Sequence, residues 1–230
     1  MKGLQAERGV ALVAALMVLA LMGALGGAIV LATTVETTLA GNYRRVEMGH
    51  AAAEAMLARV VVDLAAAPDW TPVLAGERIS SFVDGPPSGP RVLAGGVSLD
   101  LGALESMANC RRMRPCTASE LTRVTAARPW GANNPVWRLF AYGDLDRMVP
   151  GILPTGVYVV ALVGDDTAET DGQPLIDGGS GPAGESGVLV RAEAFGLRGL
   201  REGVQAAIAR DAGGTLRVKT RTDLARSLMD

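Results

Sequence analysis

The chain has 230 residues, two of them cysteines, and a formal net charge of −2 at pH 7; this length suits one domain with an appendage or two small domains. Its 20 arginines and two lysines form no basic block, which leaves a nucleic-acid partner without electrostatic support. Aromatic residues make up only 4% of the chain, so a globular core must be built mainly from Val, Leu, Ala and Met.

The first predicted element is a membrane-spanning helix over residues 10–32. None of these 23 residues is charged, and as a helix they would extend about 34 Å, enough for the roughly 30 Å hydrocarbon core of a bilayer. Lys2 and Arg8 precede the apolar run, and Glu36 is the first charge after it. The positive-inside bias therefore predicts a single pass through a membrane, with a cytoplasmic N-terminus and the rest of the chain outside. A cleaved signal peptide is disfavoured, because its apolar stretch is shorter and ends at a small-residue cleavage site.

The helix is predicted to continue beyond the membrane to residue 67. Residues 33–67 contain no proline, and Pro68 supplies the expected stop. Apolar side chains recur at the spacing of one helix face, at Val35, Leu39, Tyr43, Val46, Ala53, Met56, Val60 and Leu64. Residues 10–67 are thus predicted to form one long helix whose amphipathic outer half lies against a globular domain.

Residues 68–230 predict a β-rich extracytoplasmic domain. The stretch 68–90 is rich in Pro, Gly and Ser and is typical of a connector. A short strand is predicted within 92–101, and a helix start within 117–124, where Thr117 and Glu120 have capping-box spacing. Further strands are predicted over 137–142, 156–163, 187–195 and 203–210. One face of the third of these is small and apolar, with Val188, Val190, Ala192 and Ala194. The predicted fold class is α+β, with the long helix packed on an antiparallel sheet.

The two cysteines, Cys110 and Cys116, are close enough in sequence to close a small disulfide loop. In an oxidising compartment the disulfide is favoured over free thiols. A zinc site would need about four ligands, and His50, the only histidine, is far away in sequence.

An acidic segment separates the second and third of these four strands. It contains Asp165, Asp166, Glu169, Asp171 and Asp177 among glycines. Ca²⁺ takes six to eight oxygen ligands, but this spacing does not match an EF-hand. The favoured interpretation is a solvated hairpin loop, with a calcium site as the alternative.

No combination of residues predicts catalysis. His50 lies on the long helix and is typical of an interfacial or solvated residue, and no Ser or Cys has the setting of an activated nucleophile. The glycine run at 178–181 follows no boundary between a strand and a helix, so it is not a phosphate-binding loop. We therefore expect a structural or binding protein rather than an enzyme, with no cofactor unless calcium binds.

Six short elements follow one another over about 60 N-terminal residues: Arg8-Gly9, Thr33-Thr34, Glu36, Ala40-Gly41-Asn42, Arg44-Arg45 and Ala52-Ala53-Glu54-Ala55. In order and spacing they resemble the N-terminus of a known family, the PilX-type minor pilins of type IV pili. The resemblance implies a pilin-like architecture. It also implies a subunit that assembles with other minor pilins to prime or cap a pilus filament, moving from the inner membrane to the pilus outside the cell.

The resemblance also implies proteolytic processing. A prepilin peptidase would remove the leader, residues 1–9, by cutting after Gly9, and would methylate the new amino group of Val10. The apolar run would be kept, first as membrane anchor and later as filament core. Loss of Lys2, Glu7 and Arg8 would change the formal net charge from −2 to −3.

One position departs from the pattern of major pilins, which usually carry glutamate as the fifth mature residue. Here that position is Ala14. A buried carboxylate is costly unless it is paired, and the pairing sets subunit register. Its absence favours a minor subunit. Two alternatives stay open: a tip pseudopilin of type II secretion, some of which bind calcium, and a single-span anchored periplasmic binding domain.

Overall fold

The computed structural model describes residues 3–149, 151, 155–169, 171–177, 186–211 and 213–224. Its helices are α1 (Gly3–Ala65), α2 (Thr71–Leu74), α3 (Leu101–Cys110), α4 (Ala118–Leu121) and α5 (Leu145–Met148). Its strands are β1 (Pro90–Val92), β2 (Ser98–Asp100), β3 (Arg138–Asp144), β4 (Tyr158–Asp165), β5 (Ser186–Gly196), β6 (Leu200–Arg210) and β7 (Leu216–Asp223). The chain forms two compact units, Met1–Arg45 and Val46–Asp230.

The long helix α1 differs from the prediction at both ends. It begins at Gly3, inside the expected leader, and it ends at Ala65, two residues before the predicted end. Proline disfavours helical geometry in the residue before it, and the N–H of Ala67 accordingly donates to the carbonyl of Leu64 (3.1 Å) in a tighter turn. Met1 and Lys2 of the predicted leader lie outside the described residues.

In the first unit the apolar side chains are exposed. From Gly9 onward α1 is long and apolar enough to cross a membrane. The hydroxyls of Thr33 and Thr34 donate to carbonyls one turn earlier, for example from Thr33 to Ile29 (3.1 Å). Such bonds satisfy polar groups within the helix itself. Val35, Leu39 and Tyr43, the first part of the predicted amphipathic stripe, are exposed as well.

The second unit is built on a five-stranded antiparallel sheet in the order β3-β4-β5-β6-β7. Each strand pairs with the next one along the chain, so the sheet is a simple meander. The α+β class and the four predicted strands are confirmed. The edge strand β7 was not predicted, because its mostly exposed LRVKTRTD sequence has the charged character of an edge strand rather than a buried face.

One face of the sheet packs on α1. Residues on the last turns of the helix and the small face of β5 form one buried cluster, which includes Ala53, Met56, Val60, Leu64, Val188, Val190, Ala192 and Ala194. Small side chains on both sides allow close approach. The approach is closest at Gly49, where an added methyl group would lie 2.9 Å from Cδ1 of Leu200. The predicted packing of the outer helix on the sheet is therefore confirmed from this point onward.

The other face of the sheet is covered by α3 and the segment before it. Leu101 and Leu104 of α3 pack with Trp137, Tyr158 and Leu162. The short strand predicted within 92–101 is confirmed as β2, which pairs with β1 in a small hairpin. Asp100 at its end caps α3 by accepting from the N–H of Ala103 (2.8 Å). Burial on both faces explains why every residue of β4 is buried.

We expect Val60→Ala to lower the free energy of unfolding by about 2 kcal/mol, because it deletes buried methyl groups and leaves a cavity. Val60 is 0% exposed, whereas Val62 on the opposite side of α1 is 65% exposed. The matched variant Val62→Ala should change stability by less than about 0.5 kcal/mol. Urea titration of the full chain in a non-ionic detergent, followed by fluorescence of the buried Trp70, measures both values. Equal losses would contradict the observed packing of α1.

Candidate functional site

Gly9 and Val10, which the family resemblance links to processing, and Ala14, which it links to subunit register, lie on α1 in the first unit. Val10 is 72% exposed, and Ala14 is also exposed. No atom outside the local helix lies within 4 Å of a methyl group built at Gly9. Nothing in the described first unit therefore covers these positions.

The cysteines form a disulfide that links the end of α3 to the residues before α4. Cys110 and Cys116 are bonded, with their Cα atoms 6.0 Å apart. The predicted capping box follows directly, because Thr117 and Glu120 exchange side-chain and backbone hydrogen bonds. Hydrogen bonds from Arg114 and from the Thr117 N–H lower the pKa of Glu120 to about 2. This loop is thus held by a covalent bond, a helix cap and an ion pair.

The acidic hairpin connects β4 to β5, and three of its carboxylates come together beside Gly187. Asp165 ends β4, and the N–H of Asp166 donates to the carbonyl of Gly187 (3.3 Å). Glu169 Oε1 accepts from the N–H of Gly187 (2.5 Å). A Cβ atom at position 187 would lie 3.0 Å from Asp166 Oδ2 and 3.1 Å from Glu169 Oε1. Glycine is required here by the close approach of the two carboxylates.

These three carboxylates are buried, unlike the solvated loop that the sequence favoured. Asp165 is 1% exposed and Glu169 is 4% exposed, and Asp166 is buried as well. Neither carboxylate oxygen of Asp165 has a hydrogen-bond partner among the described residues, and the same holds for Glu169 Oε2. Buried carboxylates without partners are expensive unless they are protonated or neutralised by a cation.

Burial and mutual repulsion perturb these groups strongly. Burial, followed by repulsion from Glu169 and Asp171, raises the pKa of Asp165 to about 8. Burial also raises the pKa of Glu169 to about 7, against the hydrogen bond from Gly187, with repulsion from Asp177 adding to the increase. All five predicted acidic residues therefore interact electrostatically, and the structure brings them into one negative cluster.

The hairpin is fastened to two distant parts of the second unit. Asp177 Oδ2 accepts from the N–H of Trp70 (3.3 Å), and the N–H of Asp177 donates to Thr71 Oγ1 (3.2 Å). Asn133 donates from its side-chain amide to the carbonyl of Thr167 (2.9 Å), and its Oδ1 accepts from the N–H of Gly172 (3.1 Å). Sequence reasoning missed Asn133, because it precedes the hairpin by more than 30 residues and belongs to no metal-ligand pattern.

The carboxylates of the hairpin are neighbours, but they do not form a closed coordination shell. Among the described residues, three potential ligand atoms within 4.8 Å of one another occur at His50, Glu54 and Asp223. There His50 lies 3.9 Å from Glu54 and 4.0 Å from Asp223, and Arg221 contacts Glu54. Because Arg221 already supplies a cation to Glu54, this group is explained as an ionic link between α1 and β7, which agrees with the interfacial position expected for His50.

The architecture of a long apolar N-terminal helix whose later turns pack on an antiparallel sheet is consistent with a pilin-like fold. No family model matches the sequence, and searches of curated proteins and of solved structures found no match either.

In the absence of divalent cations, we expect the free energy of unfolding to fall as the pH rises from about 4 to about 8. Unfolded carboxyl groups ionise near pH 4, whereas folded Asp165 and Glu169, with pKa values of about 8 and about 7, keep their protons over most of this range. The folded state therefore binds more protons, and its stability decreases with pH.

Thermal melts of the full chain in detergent and a chelator, at pH 5 and pH 8.5, measure this effect. Asp165→Asn removes a buried titrating group and should flatten the dependence. The exposed control Glu77→Gln should leave it unchanged. A melting temperature that rises over this interval in the unmutated chain would contradict the assignment.

Proposed function

We propose that the protein is a minor pilin of the PilX type, which assembles with other minor pilins to prime or cap a type IV pilus filament. One observation carries the proposal: the apolar side chains of α1 between Val10 and Leu31 are exposed around the helix and directly follow the Arg8-Gly9 motif. An exposed apolar surface of this extent requires a membrane or other helices to cover it. During pilus assembly the membrane would cover this surface first, and helices of neighbouring subunits would cover it afterwards.

The proposed mechanism is association of stems. Before assembly the inner membrane covers the apolar helix, with the leader in the cytoplasm. After cleavage, stems of neighbouring subunits replace lipid around it. Gly23, Gly26 and Gly27 have open space around them in the first unit, and small residues of this kind permit close contact between helices in an apolar environment.

Ala14 supports an end position rather than a repeating one. Its methyl group cannot pair with the amino terminus of a neighbouring subunit, so this chain lacks the charge pairing that sets register in a repeating shaft. A subunit at the tip, with no following neighbour on one side, does not need that pairing. Cleavage would change the formal net charge to −3, but the removed charges lie in the leader and leave the residue at position 14 uncharged.

Two alternative functions remain: a tip pseudopilin of type II secretion and an anchored periplasmic binding domain. The motifs Ala40-Gly41-Asn42 and Ala52-Ala53-Glu54-Ala55 favour the pilus. Ala52 and Ala53 are buried in the core, so the small residues of the second motif also serve the packing of the domain. Processing by a prepilin peptidase would separate both filament functions from the plain anchor.

We expect the full chain, coexpressed with a prepilin peptidase, to be shortened by residues 1–9 and to begin with N-methylated Val10. Intact mass and N-terminal sequencing of the purified chain, with and without the peptidase, measure this directly. Gly9→Val should block the cut because it places a branched side chain at the cleavage site, and the matched leader variant Gly3→Val should still be processed. An uncut chain under both conditions would leave only the single-span anchor.

We further propose that the acidic hairpin binds Ca²⁺. The donor set fits, since buried Asp165, Asp166 and Glu169 offer hard oxygen atoms, and the oxygens of Asp165 lack hydrogen-bond partners among the described residues. Asp171 and Asp177 add negative charge at longer range. A bound cation would neutralise the mutual repulsion and tie the β4–β5 hairpin to the segment that follows α1.

Calcium should raise the melting temperature of the full chain in detergent at pH 8, because a ligand that binds only the folded state stabilises it; at 100 times the dissociation constant the gain is about 2.7 kcal/mol. Calorimetric titration should give saturable heat. Asp165→Asn should abolish both effects, and Glu77→Gln should keep them. Absence of heat and of a thermal shift, or an equal effect of Mg²⁺, would argue against a calcium site.

A further inference from the structure

A second charged feature lies on the face of the domain that carries α3. It is a cleft of about 360 Å³, bordered by the disulfide loop, the segment after α4, and strands β5 and β6. Among the described residues, six arginines line it: Arg111, Arg112, Arg123, Arg128, Arg191 and Arg201. Glu120 is the one acidic residue in this described lining. On a chain of net charge −2, this is a local concentration of positive charge that the pilin function does not use.

Several of these arginines have acidic partners within the fold. Arg191 and Arg201 both donate to the buried carboxylate of Glu193, at 2.6 Å and 2.9 Å. Glu120 is engaged by Arg114 at 2.8 Å, while Arg112 lies 3.9 Å from it. Within the described part of the chain, Arg111 and Arg123 have no carboxylate within 4 Å. The cleft therefore carries more positive charge than its own acidic groups neutralise.

Arg128 is the most informative of the six. It is half-buried, and it donates to the backbone carbonyls of Asn109, Leu121 (3.1 Å) and Pro135 (3.0 Å). Its Nε atom is buried without a hydrogen-bond partner, and the described residues place no carboxylate within salt-bridge distance of it. Burial lowers the pKa of this guanidinium. A buried cation held only by neutral carbonyls is unfavourable, and an anion in the cleft would relieve that cost.

The fold also positions an arginine and a tryptophan beside the cleft. Arg111 caps α3 in the left-handed conformation (φ 57°), with its N–H bonded to the carbonyl of Met107, and it adjoins the Cys110–Cys116 disulfide. A non-glycine residue in this conformation is uncommon and costs about 1 kcal/mol. Trp130, 45% exposed, adds an apolar surface to the lining. Charge and apolar area thus border the same small cleft.

We propose that this cleft binds a peptide segment of a partner protein through acidic side chains of that segment. Planar guanidinium groups match carboxylates in paired hydrogen bonds. The volume suits a few residues of extended peptide, at the small end of ordinary ligand sites. Leu104, Met107 and Trp130 offer apolar contacts for the methylene groups of such a segment.

A sugar acid fits the lining less well, because its hydroxyl groups donate hydrogen bonds as well as accept them, whereas the arginines of the lining can only donate. The side-chain amide of Asn109 is already engaged. Its Nδ2 donates to the carbonyl of Trp137 (2.9 Å), and its Oδ1 accepts from the backbone N–H of Trp137 (2.8 Å). Gln205 and Thr125 are the other neutral polar side chains in the lining. The peptide is therefore the ligand class that the residues favour. This inference does not depend on the proposed filament function.

The test uses tetraglutamate peptide, titrated into the full chain in a non-ionic detergent at low salt. We expect saturable heat and a change in tryptophan fluorescence, both weakening as salt increases. Trp130→Phe should remove the fluorescence change and keep the heat. Arg111→Gln combined with Arg123→Gln should reduce affinity about tenfold, since each loses a charge-assisted contact. Both side chains are exposed, so folding should be retained, which circular dichroism checks.

The matched control is Arg147→Gln, which removes an exposed arginine outside the cleft and should leave affinity unchanged. An equal loss in Arg147→Gln would overturn the proposal, because it would indicate attraction to net charge alone. Equal binding of tetraglutamine would exclude recognition of carboxylates. Equal or tighter binding of trigalacturonate or inorganic phosphate would exclude the peptide as the preferred ligand.

Discussion

The contact between the last turns of α1 and the small face of β5 is the constraint on which the second unit depends. Ala53 on the helix and Ala192 and Ala194 on the strand are almost fully buried, and Gly49 admits the side chains of Leu200 and Glu202 of the neighbouring strand β6. This close approach lets a chain with few aromatic residues bury a continuous core on one face of the sheet. Pro68 ends the helix soon after this contact, and Trp70 then reaches the acidic hairpin, where its N–H donates to Asp177.

The domain holds two regions in which like charges are gathered against their own repulsion. The buried carboxylates beside Gly187 lack hydrogen-bond partners for several of their oxygens, and the half-buried Arg128 has only neutral carbonyls as partners. Folding stability is the small difference between large terms, so it is costly to ionise Asp165 and Glu169 or to leave Arg128 without an anion. Binding of an oppositely charged ligand would reduce that cost in each case, through a cation at the hairpin and a carboxylate in the arginine-lined cleft.

The apolar part of α1 has a different physical role, because it needs an external partner in every state. Lipid and neighbouring helices are equally apolar, so in the proposed filament the transfer of the helix out of the membrane would be decided by packing and by the few polar groups present. Thr33 and Thr34 satisfy their hydroxyls within the helix and so impose no polar partner. Under the same proposal, Ala14 would leave the stem without a carboxylate that specifies the register of a repeating shaft.

Local patterns in the sequence were sufficient for the long helix, the Thr117 capping box, four of the five strands of the main sheet and the membrane-capable apolar run. Each depends on residues close together in the chain, through periodicity, charge-free length or hydrogen bonds between near neighbours. The helix α3 was missed although Asp100 caps it, and the edge strand β7 was missed because it buries almost nothing.

Contacts over long sequence separations were decided only by the tertiary structure. The hydrogen bond between Trp70 and Asp177 spans 107 residues. Strands and loops from distant parts of the chain also bury Asp165, position Asn133 and form the lining of the arginine cleft. The sequence determined which acidic and basic groups exist, and the packing of the sheet determined which of them are buried away from solvent.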